Sequence, residues 1–324
     1  MGEGGRGTRP GEGNLPALAL ICAGNTPLLA WPAMLFAVKH SVPVFVKMSR
    51  DETLWPQLLK ESVAEIDPAA GARIICEVWP GEDPKTEELV SQADAVIAYG
   101  SDATIERLKA LTGEKPFLGF GHAVSVGIDD FKTTKKYLRR LDFSAWQGFA
   151  KDVLTFDQSG CLSPHAIFYN DISQVRERFS EALFECAESL EVPARTDFEE
   201  AALIRSWRTM AVLQGATVWG DESLRWTVVE WPEQRALQLI PCPGLVQLIP
   251  CWDYADFREI LGEAKGKLSS IGIAKQVGSK QNAWRTYKSL GISRVCRPGE
   301  MQTPPLDWKN GGVDLEAWIA NLER

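Results

Sequence analysis

None of the seven cysteines in this 324-residue sequence stands in a C-x-x-C pair, and their number is odd. That pattern argues against both a disulfide framework and a structural zinc site, so no metal and a reducing, cytoplasmic compartment are expected. Long apolar runs are missing as well. The run at 15–23 is too short to span a bilayer and has no basic flank, so neither a signal peptide nor a membrane helix is expected. Excess positive charge is also lacking: 35 Lys and Arg face 43 Asp and Glu, for a net charge of −8. Such a surface repels phosphate backbones and anionic lipid, which excludes nucleic acid and membrane partners unless a local basic patch intervenes, and only short ones such as 132–140 are present. Internal repeats are absent, and the one biased segment is a Gly-rich polar tail at 1–14, expected to be disordered.

What is present is an ordinary globular composition, 45% hydrophobic and 24% charged, enough for one large core or two modest ones. From residue 15 to 121 short apolar runs at 15–22, 42–48, 72–78, 93–99 and 115–120 alternate with helical stretches at 28–39, 52–65, 84–92 and 103–111. This rhythm predicts an α/β domain around a parallel sheet, its strands covered on both faces. Ser101 or Asp102 is placed to cap the fourth helix, and Asp51 with Glu52 puts negative charge at the start of the second. Past residue 121 the rhythm changes. A helix is expected at 143–154, a small-residue loop at 158–161, a strand at 165–169 and an amphipathic helix at 173–190. Strand-like runs at 226–229 and 237–240, a turn-rich stretch at 297–312 and a short last helix follow. The expected division is therefore a tail at 1–14, a nucleotide-binding domain at 15–121 and a second α/β domain at 122–324.

Three strand ends carry polar residues of interest. Ala23-Gly24-Asn25-Thr26-Pro27 sits where the first strand meets the first helix, at the carboxyl end of the sheet where open α/β folds bind ligands. It is not the G-x-G-x-x-G fingerprint, and taken by itself a tight turn with Pro27 opening a helix is the favoured reading. The second strand ends in Lys47-Met48-Ser49-Arg50, basic or hydroxylated where NAD-selective domains carry an acid. Lys47 with Ser49 or Arg50 suits a 2′-phosphate, and a lysine that merely exits the sheet is the other reading. Tyr99-Gly100-Ser101-Asp102 at the end of the fourth strand offers free N–H groups to a phosphate, though capping also accounts for it.

Cys161 is the sharpest signal. It follows Gln158-Ser159-Gly160 in a loop rather than an apolar run, as a reactive thiol does. Cys22, Cys76, Cys242 and Cys251 fall in apolar segments, Cys186 fits a helical stripe, and Cys296 beside Arg297 is a secondary candidate. Only His40, His122 and His165 are available as partners. Ser163-Pro164 opposes the helix that would join His165 to Cys161. His122 follows the fifth strand, at the sheet edge, and is the preferred histidine, with a structural imidazole as its alternative.

Taken together, Ala23-Gly24-Asn25-Thr26-Pro27 with Trp31-Pro32, Val46-Lys47-Met48-Ser49, Tyr99-Gly100-Ser101-Asp102, Gly119-Phe120-Gly121-His122-Ala123-Val124-Ser125, Asp157-Gln158-Ser159-Gly160-Cys161-Leu162-Ser163-Pro164 and Arg297-Pro298-Gly299-Glu300-Met301-Gln302 resemble the acyl-CoA reductase family of the LuxC type. That family is the fatty-acid reductase branch of the aldehyde dehydrogenase superfamily, known from bacterial luminescence. The resemblance spans about residues 18–312 and implies an aldehyde dehydrogenase-like fold, a Rossmann-type cofactor domain plus an α/β catalytic domain. It implies a thiol nucleophile at Cys161, an oxyanion hole from the Asn25 amide and the Cys161 N–H, and cofactor contacts from Lys47, Gly100 and Ser101, with Ser49 beside them. NADPH is the expected cofactor, with NADH as the alternative.

Two departures matter. Aldehyde-oxidising members of the superfamily carry a water-activating glutamate after the fifth strand, whereas Gly121-His122 offers none, which favours reduction of a thioester. Family members also carry a further N-terminal stretch, and this chain is N-terminally short by comparison. The expected activity is NADPH-dependent reduction of an acyl thioester, acyl-CoA or another acyl carrier with long chains preferred, to an aldehyde. His122 is a proton donor in that reading, an acyl-activating synthetase is the expected partner, and the enzyme is expected to be a homo-oligomer. The competing readings are a non-catalytic or degenerate subunit that binds nucleotide or acyl-CoA, and a thiol hydrolase using Cys161 and His165.

Overall fold

The computed structural model describes residues 17–129, 143–169, 175–240, 242–274, 287 and 289–323. The tail at 1–14 and the basic stretch at 132–140 lie outside them. The chain divides between His122 and Ala123 into two compact units, and the residues from Val313 onward belong to the first.

In the first unit, β1 (Leu18–Ile21), β2 (Val44–Met48), β3 (Ile74–Val78), β4 (Ala95–Tyr99) and β5 (Phe117–Phe120) form one sheet in the order β3-β2-β1-β4-β5, every pairing parallel. The connecting helices are α1 (Trp31–Lys39), α2 (Leu54–Ile66), the short α3 (Pro68–Gly71), α4 (Lys85–Gln92) and α5 (Asp102–Thr112). Strand period dictates how the core divides. Leu18, Leu20, Val44, Val46 and Ile97 pack on one face with Met34 and Ala37 of α1, while Ala19, Ile21, Val96 and Ala98 pack on the other with Val90 and Leu108. Both faces being covered explains why these strands read as continuous apolar runs.

The closing helix Leu315–Ala320 corrects the expected division. Leu315 and Ile319 are buried in the core that α1 helps to build, and His40 Nε2 lies 3.4 Å from Glu316 Oε1. An amphipathic segment of six residues cannot stand alone, so it follows the apolar face it fits rather than its place in the chain.

The second unit comprises β6 (Val124–Ile128), α6 (Phe143–Leu154), β7 (Pro164–Tyr169), α7 (Val175–Ser189), α8 (Phe198–Leu213), β8 (Thr217–Gly220), β9 (Thr227–Glu230), β10 (Leu245–Pro250), α9 (Tyr254–Ile260), β11 (Leu268–Ile273) and β12 (Arg294–Cys296). Its sheet runs β12-β11-β6-β7-β10-β9-β8, parallel except for the edge pair β8 and β9. Trp146, Phe149, Val153, Phe179 and Leu183 cover one face of it, and Ile204, Phe257 and Ile260 the other. The expected strand at 237–240 is not formed. Leu237 and Ile240 are buried three residues apart, and the segment's polar groups pair elsewhere, Leu237 N–H with Ile260 O and Gln238 O with the Gln247 amide. The strand there is instead β10, next in the chain.

Candidate active site

Parallel strands deliver their following turns to one edge, and the order of the first sheet places its reversal of direction between β1 and β4. That switch point is where open α/β sheets take ligands. Asn25 stands just past β1 and is exposed. Gly100 and Ser101 join β4 to α5, and Ser101 Oγ caps the helix by accepting the Thr104 N–H at 3.2 Å. Capping and phosphate binding are thus compatible here, since the cap takes only one first-turn N–H. Gly24 allows the turns after β1 and β2 to converge: a Cβ there would fall on Ser49 Oγ and stand 2.9 Å from Asp51 Cβ. Ser49 is half-buried.

Lys47 does not exit into solvent. It is 6% exposed near the end of β2, and burial lowers its pKa, while Cys22 and Glu82 act in the opposite sense. Beside it, burial pushes the Cys22 thiol up to about 12, which leaves Cys22 inert. His122 is exposed after β5, its N–H held by Asp102 Oδ1 at 2.8 Å. Gly121 lets that carboxylate approach, since a Cβ would stand 2.5 Å from the same oxygen. The structure thus brings Asn25, Lys47, Ser49, Gly100, Ser101 and His122 to one sheet edge of the first unit.

Cys161 belongs to the second unit, on a turn between α6 and β7, and is half-buried. The approach to it is strained. Phe156, Asp157 and Gln158 all take positive φ, 55°, 54° and 58°, a left-handed run that side-chain residues adopt only when surroundings enforce it. Arg195 grips the Asp157 carboxylate with both arms of its guanidinium, one at 2.7 Å, and reaches Glu200 at 3.3 Å. The buried Gln158 amide donates to Pro164 O at 3.0 Å and Leu245 O at 2.9 Å. Past the sulfur, Ser163 N–H closes the turn on Gly160 O, and Gln302 Nε2 donates to Ser163 Oγ at 2.8 Å and Asp152 O at 3.0 Å. The turn at Pro298 and Gly299 packs against α6 because Gly148 has no Cβ to strike it. Asp152, fully buried, accepts Gly299 N–H at 2.6 Å and Met301 N–H at 3.1 Å, and burial pushes it up to about 7 against those hydrogen bonds.

Burial likewise raises the Cys161 thiol, opposed by hydrogen bonding from Ser269 and from its own N–H. The structure removes the secondary thiol candidate: Cys296 is 4% exposed within β12. It also removes a helical Cys161–His165 pairing, since 161–163 form a turn and His165 belongs to β7. Among the described residues no group of three His, Cys, Asp or Glu side chains is placed to hold a metal ion, and no helix is long and apolar enough to cross a membrane. Ser125 and Gln302, which hold the loop, lie in segments that carry the family resemblance. Arg195, Ser269 and Ser270 carry no sequence signal, because each reaches the loop across a sheet or from a distant helix start.

The fold is that of an aldehyde dehydrogenase. Indole-3-acetaldehyde dehydrogenase of P. syringae, solved with NAD+ and IAA, superposes with a TM-score of 0.68 at 14% identity, over 94% of this chain and 64% of that one. More specifically, the chain belongs to the acyl-CoA reductase (LuxC) family, whose pattern matches residues 16–316. Relatives named long-chain acyl-protein thioester reductase align at 24% identity in Vibrio harveyi and 26% in Photorhabdus laumondii, each over 65% of this chain. The chain spans 44% of the length of either relative.

Proposed function

We propose that this protein reduces an acyl thioester to an aldehyde through a covalent acyl group on Cys161. The observation that carries the reading is the loop itself. A half-exposed cysteine stands at the end of a left-handed run that Arg195 and Gln158 hold in place, inside a segment matched by an acyl-CoA reductase family. Strain of this kind is kept where function needs a group presented in one position.

In the proposed cycle the Cys161 sulfur attacks the thioester carbonyl carbon. A bond to Sγ forms, the bond to the carrier sulfur breaks, and the carrier departs as a thiol once protonated. The Asn25 amide and the Cys161 N–H are the proposed donors to the oxyanion, of a kind whose single loss typically costs about 10² to 10³ in turnover. A nicotinamide cofactor, when bound, supplies the hydride that converts the thioester carbon to the aldehyde level. Lys47, Ser49, Gly100 and Ser101 are its proposed contacts, and the glycine-opened approach of the β1 and β2 turns with the N-terminal turn of α5 fits a dinucleotide. The sulfur then leaves as the aldehyde is released. The half-buried Ser49 and the cation of Lys47 favour NADPH over NADH, and His122 is the proposed proton donor to the departing carrier.

The chain beyond its thiol is proposed to prefer long acyl groups, carried on CoA or on protein as in the named relatives. A homo-oligomer in the cytoplasm served by an acyl-activating synthetase completes the proposal. Mixing the protein with acyl-CoA and NADPH should bleach the reduced-cofactor absorbance, with NADH slower. Cys161→Ala should lower the rate by at least about 10³. Turnover surviving that substitution would sink the mechanism. A second reading, a subunit that binds acyl-CoA without reacting, draws on the burial that raises the thiol. It predicts binding with no acyl mass added to Cys161.

A further inference from the structure

On the proposed reading of Cys161 as nucleophile, a thiol that burial disfavours must be kept reactive. Cys161 lies beside the strand β6, and two pairing irregularities coincide there. The register of β6 with β7 shifts between Ser125 and Val126, and the register of β6 with β11 shifts between Leu268 and Ile271. A bulge releases residues from strict alternation between faces and re-aims side chains, and it recurs next to active sites. Here it gathers three serines. Ser125 Oγ donates to Cys161 O at 2.7 Å, stands 2.9 Å from Ser270 Oγ and accepts the Ser270 N–H at 3.1 Å.

Ser269 is the remaining member. It is 5% exposed, its carbonyl is held twice by Ser293, through the hydroxyl at 2.8 Å and the N–H at 3.2 Å, and its own buried Oγ has no hydrogen-bond partner of ordinary geometry among the described residues. A buried hydroxyl left without a partner is costly.

We infer that Ser269 is a positioning residue of the thiol site, donating its Oγ–H to the Cys161 sulfur when that sulfur is ionised, while Ser125 and Ser270 hold the Cys161 carbonyl. The direction of its effect agrees, since hydrogen bonding from Ser269 opposes the burial that raises the thiol. The ionisable groups packed around the loop are engaged elsewhere: Asp157 with Arg195, Asp152 with the Gly299 and Met301 N–H groups, and His165 within β7. A hydroxyl thus does here what a cation does at other reactive cysteines.

The test is the pH dependence of iodoacetamide alkylation, resolved by peptide mass spectrometry on the full chain. Ser269→Ala should move the Cys161 midpoint up by about one pH unit, a roughly tenfold loss of thiolate below both midpoints, and leave that of the half-buried Cys76 in place. Ser269→Thr and Ser269→Val, equal in shape and different in the hydroxyl, serve if the alanine variant folds poorly. Threonine should behave as the parent and valine as alanine. Equal midpoints across either pair would overturn the inference. Separately, acyl-CoA should leave an acyl adduct on Cys161 of the parent protein. An adduct with equal midpoints rejects the role of Ser269 alone, whereas no adduct rejects the nucleophile.

Discussion

The two sheet edges that carry the candidate residues are built on different principles. At the first, the residues are supplied by turns immediately following strands, and each turn is shaped by its own neighbours: Ser101 caps the helix it begins, and Asp51 N–H meets Ser49 Oγ two residues back at 3.3 Å. At the second, the Cys161 loop is held in an unfavourable backbone by partners far away in sequence, Arg195 at a separation of 38 residues and Leu245 at 87 from the residues they grip. A ligand edge made of backbone N–H groups needs small residues and caps, which are local. A thiol with the proposed role of nucleophile needs one fixed position against strain, and only distant contacts enforce that.

If this contrast is right, removing one distant partner should damage the thiol loop alone. Arg195→Met should show the largest effect. The Arg195 side chain is 6% exposed against 41% for Asp157, so the pair is only partly shielded, and its loss should cost about 2 to 4 kcal/mol, between the values for exposed and fully buried pairs. A urea denaturation series would measure this, and dinucleotide binding to the folded protein should be retained. Loss of both together would erase the distinction. The converse substitution, Gly24→Ala, pushes a methyl into Ser49 and should cost about 1 to 3 kcal/mol as local overpacking. Calorimetric titration should show weakened nucleotide binding while the alkylation rate of Cys161 holds.

The smallest effect concerns Asp152, which fastens the turn at Pro298 and Gly299 to α6. Burial lifts its carboxyl from 3.8 to about 7, so the folded chain holds that proton more tightly than the unfolded chain does. Its contribution to stability is therefore complete below about pH 4 and is lost as pH rises through 7. Asp152→Asn removes the titration and places an amide N–H against a backbone donor, at a cost of about 1 to 2 kcal/mol. Unfolding free energies at pH 5 and pH 8 should then differ less in the variant than in the parent. An unchanged difference would show that Asp152 does not titrate in this range.

Much of the first sheet was legible along the chain because its signals are local. All five strands lie within the apolar runs, and α1, α4 and α5 match their expected positions to within about three residues. In the second unit 143–154 is helical as expected, with strands at 164–169 and 227–230, but 237–240 misled. Its apolar residues are spaced for one-sided burial of an irregular segment, and four residues cannot tell that from a strand.

Sequence by itself therefore determined the parallel α/β rhythm of 17–122, the strand ends that bear Asn25, Lys47 and Ser101, and the placing of Cys161, alone of the seven thiols, in a small-residue loop. It did so because strand period, capping and small-residue loops are written in neighbouring residues. Only the tertiary structure decided that Arg195 and Gln158 hold the thiol loop, that Ser125, Ser269 and Ser270 gather at coincident bulges, and that the last helix returns to the first unit. Those outcomes depend on which surfaces meet once the sheets have formed, and contacts between residues dozens of positions apart leave no periodic trace in the chain.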